Sequence, residues 1–393
     1  GDDSVAQLGG VHLACEQASN LLTKVLEWGR LMSYLEQSTR YISYDSRFGG
    51  RYRYYRDPEI MESSFGARYI GDMDRIFDTY AHLVPQMQDF VREQFPKHPD
   101  DGDFVYRQAV KAKAFDALRG LLPAASLSNV GIYGTGQAYE ALLLRMRSHP
   151  LPESRYYADL MLRELRKVIP SFLERVDRED RGVVWSEYLQ ETREDTADVV
   201  AALFPEGSIV DPSPTVRLVD FDPEGEVKMI ASMMYPHSTM SEDQLERRVA
   251  GMNHEDRMAV ARAYVGDRRN RRHKPGRALE RPFYRFDVLV DYGAFRDLQR
   301  HRMLSMDWQN LSPHHGYISS PLVNAAGMGP VYEEAMERSA ALYDLLVDDF
   351  PDQASYAINL AYKIRFNMNI NARSAMHLIE LRTTPQGLSL IHI

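Results

Sequence analysis

The sequence has only one cysteine, Cys15, among its 393 residues. A single cysteine excludes an internal disulfide and a cysteine-based zinc site, and such scarcity is typical of a reducing compartment. We therefore expect a cytoplasmic protein. No apolar run approaches the roughly 18 residues that a membrane-spanning helix needs, so we expect no membrane association.

Four familiar functional patterns are missing as well. The sequence has no GxGxxG after a strand, no phosphate-binding P-loop, no HExxH and no GxSxG. These absences argue against a nucleotide cofactor held by a Rossmann unit. Residues 1–10 (GDDSVAQLGG) contain no methionine and no signal-peptide pattern, and the final LSLIHI differs in character from what precedes it. We expect both ends to be those of a fragment.

Basic residues are outnumbered by acidic ones. The 47 Lys and Arg against 56 Asp and Glu give a net charge of -9. Because nucleic-acid-binding proteins are usually basic, we expect no nucleic-acid partner. The basic run DRRNRRHKPGR (267–277) is interpreted as a solvated loop. A hydrophobic content of 44% with 26% charged residues is typical of a soluble globular protein, and the length leaves room for two or three domains.

Hydrophobic periodicity predicts a helix-rich α+β protein. Apolar residues at helical spacing predict helices over 10–36, 70–96, 105–122, 132–147, 156–179, 331–348 and 371–382. Alternation predicts a half-buried strand at 214–222, and aromatic and β-branched residues predict another at 283–292. An ordered loop is expected at 42–66. The Pro, Gly and Asp content of 185–213 indicates a linker between two domains, 1–184 and 214–393.

The stretch QRHRMLSMDWQ (299–309) contains an Arg-His-Arg triplet formed by Arg300, His301 and Arg302. Successive helical residues point about 100° apart, so three in a row cannot share one helix face. The triplet suits a solvated surface cluster, or a strand end from which three donors reach different parts of one anionic ligand. Arginine gives bidentate contacts to phosphate, so a phosphate or a flavin is such a ligand. Taken alone, the triplet favours the surface cluster.

Polar residues recur in SYLEQSTRY (33–41). On a helix, Ser33, Glu36 and Arg40 would form one stripe. The simpler interpretation is an exposed ion pair between Glu36 and Arg40, which contributes little stability.

The stretch NINARSAMHLIELR (369–382) shows a comparable pattern. Asn371 and Arg382 share one helix face, and Arg373 and His377 form a second stripe. Such a helix either lines a polar cavity or is solvated, and the pattern favours neither. Glu280 comes just before a predicted strand, where a glutamate is most often solvated.

Together these stretches resemble the flavin-dependent thymidylate synthases. The hallmark of that family is an RHR triplet, a serine soon after it and a polar run ending in E-x-S-x-R-Y. A glutamate stands twenty residues before the triplet, and an N-A-R-S helix ending in L-R follows about eighty residues later. Glu280 stands twenty residues before Arg300, and Ser305 follows the triplet. The late motif is matched by Asn371, Ala372, Arg373, Ser374, Leu381 and Arg382.

The resemblance breaks after Ser305, where Asp307 and Trp308 stand in place of the E-x-S-x-R-Y end. That end appears instead in WGRLMSYLEQSTRY (28–41). Trp28 and Gly29 replace the first Arg and His there, and the retained positions are Arg30, Ser33, Glu36, Ser38, Arg40 and Tyr41. Further on, LRGLLP (118–123) is similar to the family's A-R-x-x-L-P. The chain therefore resembles two diverged copies of one domain.

The resemblance implies the family's fold in each copy, an antiparallel sheet flanked by long helices. It implies FAD-dependent reductive methylation of dUMP to dTMP, with methylenetetrahydrofolate and NADPH as co-substrates. The implied FAD-binding residues are Glu280, Arg300, His301, Arg302, Ser305, Asn371, Arg373 and His377. The implied dUMP-binding residues are Glu36, Ser38, Arg40, Arg119 and Arg382, of which Ser38 and Arg382 are the implied catalytic residues. No metal is implied.

The two copies have lost different parts of the motif, so we expect one composite site to which both contribute. Family members are homotetramers, and a fused pair needs only a homodimer to match them. Two alternatives stay open. One is a diverged flavin- or nucleotide-binding homologue without synthase activity, and the other is a non-catalytic helical interaction protein.

Overall fold

The computed structural model describes residues 3–204 and 214–383. The described residues form two compact units. The first unit consists of the described residues within Gly1–Asp211, Asp291–Gly293 and Asn310–Lys363. The second unit consists of those within Pro212–Val290, Ala294–Gln309 and Ile364–Ile393. The units do not follow the boundaries expected from the sequence, because the chain returns to the first unit twice. The domain limits at 1–184 and 214–393 stay a prediction.

Helices dominate both units, and each unit also contains an antiparallel sheet, so the prediction of a helix-rich α+β protein is confirmed. The strands are β1 (Gly10–Ser19), β2 (Met32–Glu36), β3 (Leu127–Thr135), β4 (Val216–Phe221), β5 (Phe283–Asp291), β6 (Ser305–Trp308) and β7 (Lys363–Asn371). The helices are α1 (Asp3–Ala6), α2 (Asn20–Leu26), α3 (Pro58–Glu62), α4 (Gly66–Gln94), α5 (Asp103–Leu118), α6 (Gly136–Arg147), α7 (Pro152–Leu165), α8 (Val184–Leu203), α9 (Gly225–Met234), α10 (Glu242–Ala250), α11 (His254–Val265), α12 (Tyr292–Gln299), α13 (Pro321–Ala325), α14 (Gly329–Leu346) and α15 (Ala372–Arg382).

The sheet of the first unit has the order β1-β3-β2. One face of it packs against α2, α6 and α7 around a core that includes Val130, Ile132 and Leu143. Burying apolar side chains here stabilises the unit by roughly 1.5–3 kcal/mol for each large one. Helix α6 starts directly after β3, where the Thr135 side chain accepts a hydrogen bond from the Ala138 backbone N–H at 3.3 Å.

The predicted helix over 10–36 is wrong, because this segment forms β1, α2 and β2. Strand β1 contains a bulge between Cys15 and Ala18, and Gln17 within it has φ of 58°. The bulge changes the parity of the strand, so the buried residues fall at Val11, Cys15 and Ala18 and then continue at Leu22 in α2. Their spacing of four, three and four residues imitates one helix face.

Several other boundaries differ from the predictions. Residues 132–135 belong to β3, and the helix predicted there begins at Gly136. The helix predicted over 156–179 ends at Leu165. In SYLEQSTRY the first four residues lie in β2, so the helical stripe does not exist. The other predicted helices, at 70–96, 105–122, 331–348 and 371–382, correspond to α4, α5, α14 and α15.

The sheet of the second unit has the order β4-β5-β7-β6. Both strands predicted here are confirmed, but β4 lies at the edge and buries neither set of alternate residues, since Leu218 is 48% and Val219 is 51% exposed. A small core that includes Ile230, Leu245 and Leu279 forms among α9, α10 and the turn before β5.

The two sheets repeat one arrangement along the chain. In the first, β1 is followed by α2 and β2, and the late strand β3 inserts between them and leads into α6. In the second, β5 is followed by α12 and β6, and the late strand β7 inserts between them and leads into α15. Strand β4 is an addition to the second.

The region expected to be a linker begins in a helix. Helix α8 is 20 residues long and buries none of its side chains. Residues 205–213 lie outside the described residues, so a linker over 185–213 stays a prediction. Within 3–204 and 214–383, no helix is long and apolar enough to cross a membrane.

Candidate functional site

The second unit contains a pocket of about 340 Å³ between α15, the Arg-His-Arg segment and the basic loop 267–277. This volume is within the usual range for small-molecule sites. The lining residues are Arg268, Arg271, Lys274, Pro275, Glu280, Arg300, His301, Arg302, Met303, Leu304, Asn371, Arg373, Ser374, Met376, His377, Glu380, Leu381 and Arg382. All the residues predicted for the flavin side therefore line one pocket, except Ser305, and Arg382 lines it too.

Asp297 connects the triplet to α15. It lies on α12, one turn before Arg300, whose guanidinium donates to the Asp297 carboxylate. The Arg382 guanidinium lies 3.3 Å from the same carboxylate oxygen and also donates to the Asp297 backbone carbonyl. Asp297 is 15% exposed, so this shared ion pair is only weakly screened by water. Asp297 was not predicted from the sequence, although its i, i+3 spacing from Arg300 was a usable signal.

His301 accepts a hydrogen bond from Arg382, Nε2 to Nε at 3.0 Å. Burial, then the positive charge of Arg382, lowers the pKa of His301 to about 3. Because Nε2 accepts, the neutral ring carries its proton on Nδ1, so His301 is a donor of the triplet but not a cationic one. The ring of His377 lies edge-on to it, with 5.8 Å between the ring centroids.

Glu280 and Arg373 form an ion pair on the wall of the pocket. Arg373 Nη1 lies 3.1 Å from Glu280 Oε1, and the other Glu280 oxygen lies 3.0 Å from Arg277. Glu280 is therefore paired and half-buried. Asn371 is the N-cap of α15, because its side-chain oxygen accepts a hydrogen bond from the Ser374 backbone N–H at 2.8 Å.

The basic run 267–277 is not simply solvated. Arg268, Arg271 and Lys274 line the pocket, while Arg269 and Arg272 on the same loop do not. The loop was missed as part of the site because nothing in its own sequence indicates what it faces.

The first unit brings together two arginines predicted to bind the nucleotide phosphate. Arg40 Nε lies 3.2 Å from Asp116 Oδ1, and Arg119 Nε lies 3.5 Å from the same oxygen. Asp116 was not predicted, although it stands one helical turn before Arg119. Arg119 is only 8% exposed, and a second carboxylate, that of Asp291, lies near its guanidinium beside Gly293.

The turn that carries Arg119 depends on a glycine. A Cβ at Gly120 would lie 2.2 Å from the Tyr332 hydroxyl oxygen and 3.0 Å from the Ala361 Cβ. At such distances, a side chain at position 120 would fit only if the neighbouring residues shifted. The glycine of LRGLLP is therefore explained by close packing of the turn that places the arginine.

The remaining predicted residues are placed differently. Glu36 pairs with Lys24 at 3.2 Å, and both side chains are at most 4% exposed. The Glu36 side chain is buried, so it does not form the exposed ion pair that was expected from the sequence. Ser38 accepts a hydrogen bond from the Arg40 backbone N–H at 3.2 Å. Ser305 begins β6 opposite Asn369 and is exposed.

Comparison with known proteins identifies relatives along nearly the whole chain. The family model described as "Thymidylate synthase complementing protein" matches residues 1–171 and again 217–389. A UPF0159 protein of Chlamydia pneumoniae is 41% identical over 390 residues, which covers 98% of this chain and 73% of that protein. The UPF0159 protein of Chlamydia muridarum is 39% identical, with the same coverage of each chain.

A more distant relative and a solved structure are also similar. The UPF0159 protein of Thermoplasma acidophilum is 30% identical over 98% of this chain and 81% of its own length. The flavin-dependent thymidylate synthase ThyX from Helicobacter pylori, complexed with FAD and dUMP, matches 46% of this chain and 89% of its own at 20% identity, with a TM-score of 0.33. The two family-model matches cover most of the sequence, and the chain belongs to the thymidylate synthase complementing protein family.

Proposed function

We propose that the protein is an FAD-dependent thymidylate synthase that converts dUMP to dTMP, with methylenetetrahydrofolate and NADPH as co-substrates. The observation that carries the proposal is the pocket of the second unit, which gathers the predicted flavin residues other than Ser305 together with Arg382. Family membership supports the reaction class. Two diverged copies, one at 1–184 and one at 214–393, are part of the proposal.

The donor set of the pocket fits a flavin dinucleotide. Seven cationic side chains line it (Arg268, Arg271, Lys274, Arg300, Arg302, Arg373 and Arg382), against two carboxylates (Glu280 and Glu380). An excess of arginine suits phosphate groups, which accept bidentate hydrogen bonds. Met303, Leu304 and Met376 add apolar surface for a ring. When bound, the flavin supplies the hydride of the reaction.

The residues of the second copy would bind the flavin, orient it and exclude water from the pocket. Arg302 is exposed at the pocket and would hold phosphate, while Arg373, paired with Glu280, would orient the ligand. Arg382 would stabilise negative charge that develops on the pyrimidine, and its partner Asp297 would offset part of the positive charge of Arg382. His301, neutral and fixed by Arg382, would contact a ring without adding charge.

The residues of the first copy would bind the nucleotide. Arg40 and Arg119 share Asp116, so a phosphate would compete with this carboxylate for two guanidinium groups. Charge-assisted contacts of this kind contribute about 1.5–3 kcal/mol each. Ser38, held next to Arg40, would contact the nucleotide from the same turn.

The first copy does not keep an equivalent flavin side. Trp28, at the position of the first arginine of the triplet, lies under the Arg145 guanidinium, 4.9 Å from its carbon to the ring centroid. Phe172 covers the start of α6, where a Cβ at Gly136 would lie 2.8 Å from the Phe172 Cβ. These contacts support one flavin site per chain, supplied by the second copy.

A first experiment tests whether the protein binds FAD. The purified protein is mixed with FAD, and binding is measured by the change in the visible flavin spectrum. We expect saturable binding that Arg302→Ala weakens about tenfold or more, since one charge-assisted contact is lost. Arg285→Ala, which removes an equal charge outside the pocket, is the control. Failure of the wild-type protein to bind FAD would contradict the proposal.

A second experiment tests the nucleotide and the reaction. Calorimetric titration with dUMP is expected to show affinity about tenfold or more weaker for Arg119→Ala, from loss of a charge-assisted contact, with FAD binding unchanged. Arg147→Ala, another arginine paired with a carboxylate of the first unit, is the control. Formation of dTMP from dUMP, methylenetetrahydrofolate, NADPH and FAD checks the synthase activity directly.

A diverged homologue that binds flavin without synthase activity is the second candidate. It is favoured by Glu36, whose carboxylate is already buried against Lys24 rather than available to a nucleotide. In that case FAD would bind to the second copy while dUMP binding and dTMP formation would both be absent. The two experiments above separate these outcomes.

A further inference from the structure

We propose that Arg271 and Lys274 on the basic loop 267–277 form a phosphate-binding site at the rim of the pocket. The proposal rests on the proposed function, because the phosphate would come either from the diphosphate of FAD or from NADPH. Neither residue belongs to the motif that identified the family, and both were interpreted as solvated from the sequence.

The loop is held against the pocket by bonds that do not involve these two residues. Arg268 Nη2 lies 2.7 Å from a Glu380 carboxylate oxygen on α15. Arg268 Nε also donates a hydrogen bond to the His273 backbone carbonyl. On α15, Arg373 Nε donates a hydrogen bond to the Pro275 backbone carbonyl at 3.0 Å. Arg268 is thus a positioning residue, and the loop presents Arg271 and Lys274 from a fixed base.

The charges of the pocket are only partly compensated within the protein. Its two carboxylates are already engaged, Glu280 with Arg373 and Arg277, and Glu380 with Arg268. Among the described residues, no carboxylate lies within 4.0 Å of the side-chain nitrogens of Arg271, Lys274 or Arg302.

Gathering three such cations at one opening raises the local positive potential, and an anionic ligand would offset it. Burial, then the charge of Lys274, lowers the pKa of His377, and Arg271 contributes in the same direction. The two loop cations and His377 line the same pocket. A ligand phosphate at the rim would contact them together with Arg302.

The test compares two double variants of equal charge. Arg271→Ala/Lys274→Ala removes the two cations that line the pocket. Arg269→Ala/Arg272→Ala removes two exposed cations of the same loop that do not line the pocket. Both lower the net charge of the chain by two, so a difference between them is a local effect. Binding of FAD, riboflavin and inorganic pyrophosphate is titrated, and flavin reduction is followed with NADPH and with NADH.

We expect the first variant to lose phosphate-dependent affinity by about tenfold or more, and the control less than about twofold. If FAD and pyrophosphate weaken while riboflavin does not, the phosphate is that of FAD. If instead the KM for NADPH rises while that for NADH is constant, the phosphate is that of NADPH. Equal behaviour of both variants with every ligand overturns this site alone. A wild-type protein that binds no flavin overturns the proposed function.

Discussion

Glu153 shows how a single buried carboxyl group makes stability depend on pH. Its oxygens accept from the Ser19 backbone N–H at 2.9 Å, the Ser19 hydroxyl at 2.6 Å and the Tyr356 hydroxyl at 2.6 Å. Burial raises the pKa of Glu153 to about 7, and the bonds from Ser19 and Tyr356 only partly oppose this. The folded protein therefore holds a proton that the unfolded chain releases at lower pH.

We predict that Glu153→Gln flattens the pH dependence of the free energy of unfolding. The wild-type contribution is fully present below the ordinary pKa of 4.5 and is lost as the pH rises toward about 7. The loss is on the order of 3 kcal/mol across this window. Urea unfolding of both proteins at several pH values measures it. Parallel pH curves for the two proteins would contradict the prediction.

We predict that His301 does not titrate between about pH 5 and 8, where an ordinary histidine does. Its pKa is held near 3 by burial and Arg382, so the folded protein keeps the ring neutral. The unfolded chain binds the proton below about 6.5, and stability from this group decreases as the pH falls from there toward 3. Histidine NMR signals, assigned with His301→Gln, check this, and a midpoint near 6.5 would refute it.

At the scale of elements, the bulge in β1 determines which residues of the strand face the core. Gln17 has φ of 58° and its backbone N–H donates to the Asn129 side chain at 2.8 Å, so the left-handed conformation is built into the pairing of β1 with β3. A residue other than glycine in this conformation costs about 1–2 kcal/mol, and β-branched residues cost more.

We predict that Gln17→Gly is tolerated, with a free energy of unfolding within about 1 kcal/mol of wild type, because glycine adopts this φ without strain. Gln17→Val is expected to destabilise the first unit by on the order of 1 kcal/mol, because a β-branched side chain costs more in this conformation than glutamine does. Thermal unfolding measures both changes. Glu16→Val, at the exposed neighbour outside the left-handed region, is the control, and an equal loss in both valine variants would speak against backbone strain.

The same elements show how far the sequence could predict the structure. Helices α4, α14 and α15 follow from periodicity, because each keeps one apolar face over several turns. The first segment could not be predicted this way, since a bulged strand followed by a short helix produces the same spacing as one helix. The predicted flavin-side residues followed from the resemblance to a family motif, because each stretch taken alone favoured or allowed a solvated surface. Asp297, Asp116 and the loop cations could not be predicted, because their roles arise from tertiary contacts.

At the scale of the whole molecule, we predict a homodimer. Family resemblance implies a four-domain assembly, and a chain that the family model matches twice would reach it by pairing once. Sedimentation equilibrium is expected to give twice the chain mass of 45.2 kDa. A monomer that still forms dTMP would show that pairing is not required.

The acidic chain and its basic pocket lead to a prediction about salt. The net charge is -9, yet cations dominate the lining of the pocket. Raising the ionic strength shortens the Debye length from about 10 Å at 0.1 M to about 3 Å at 1 M. We expect FAD affinity to fall over this range while riboflavin affinity changes little. Equal salt dependence of the two ligands would argue against an electrostatic contribution.

The carboxylate shared by Arg300 and Arg382 makes two binding events thermodynamically dependent on each other. A ligand that draws Arg382 away from Asp297 removes one competitor of Arg300 for that carboxylate, and a ligand that engages Arg300 does the reverse. By reciprocity, whatever factor the first ligand imposes on the affinity of the second, the second imposes on the first. Through this one aspartate, the affinity measured for each ligand depends on whether the other is already bound.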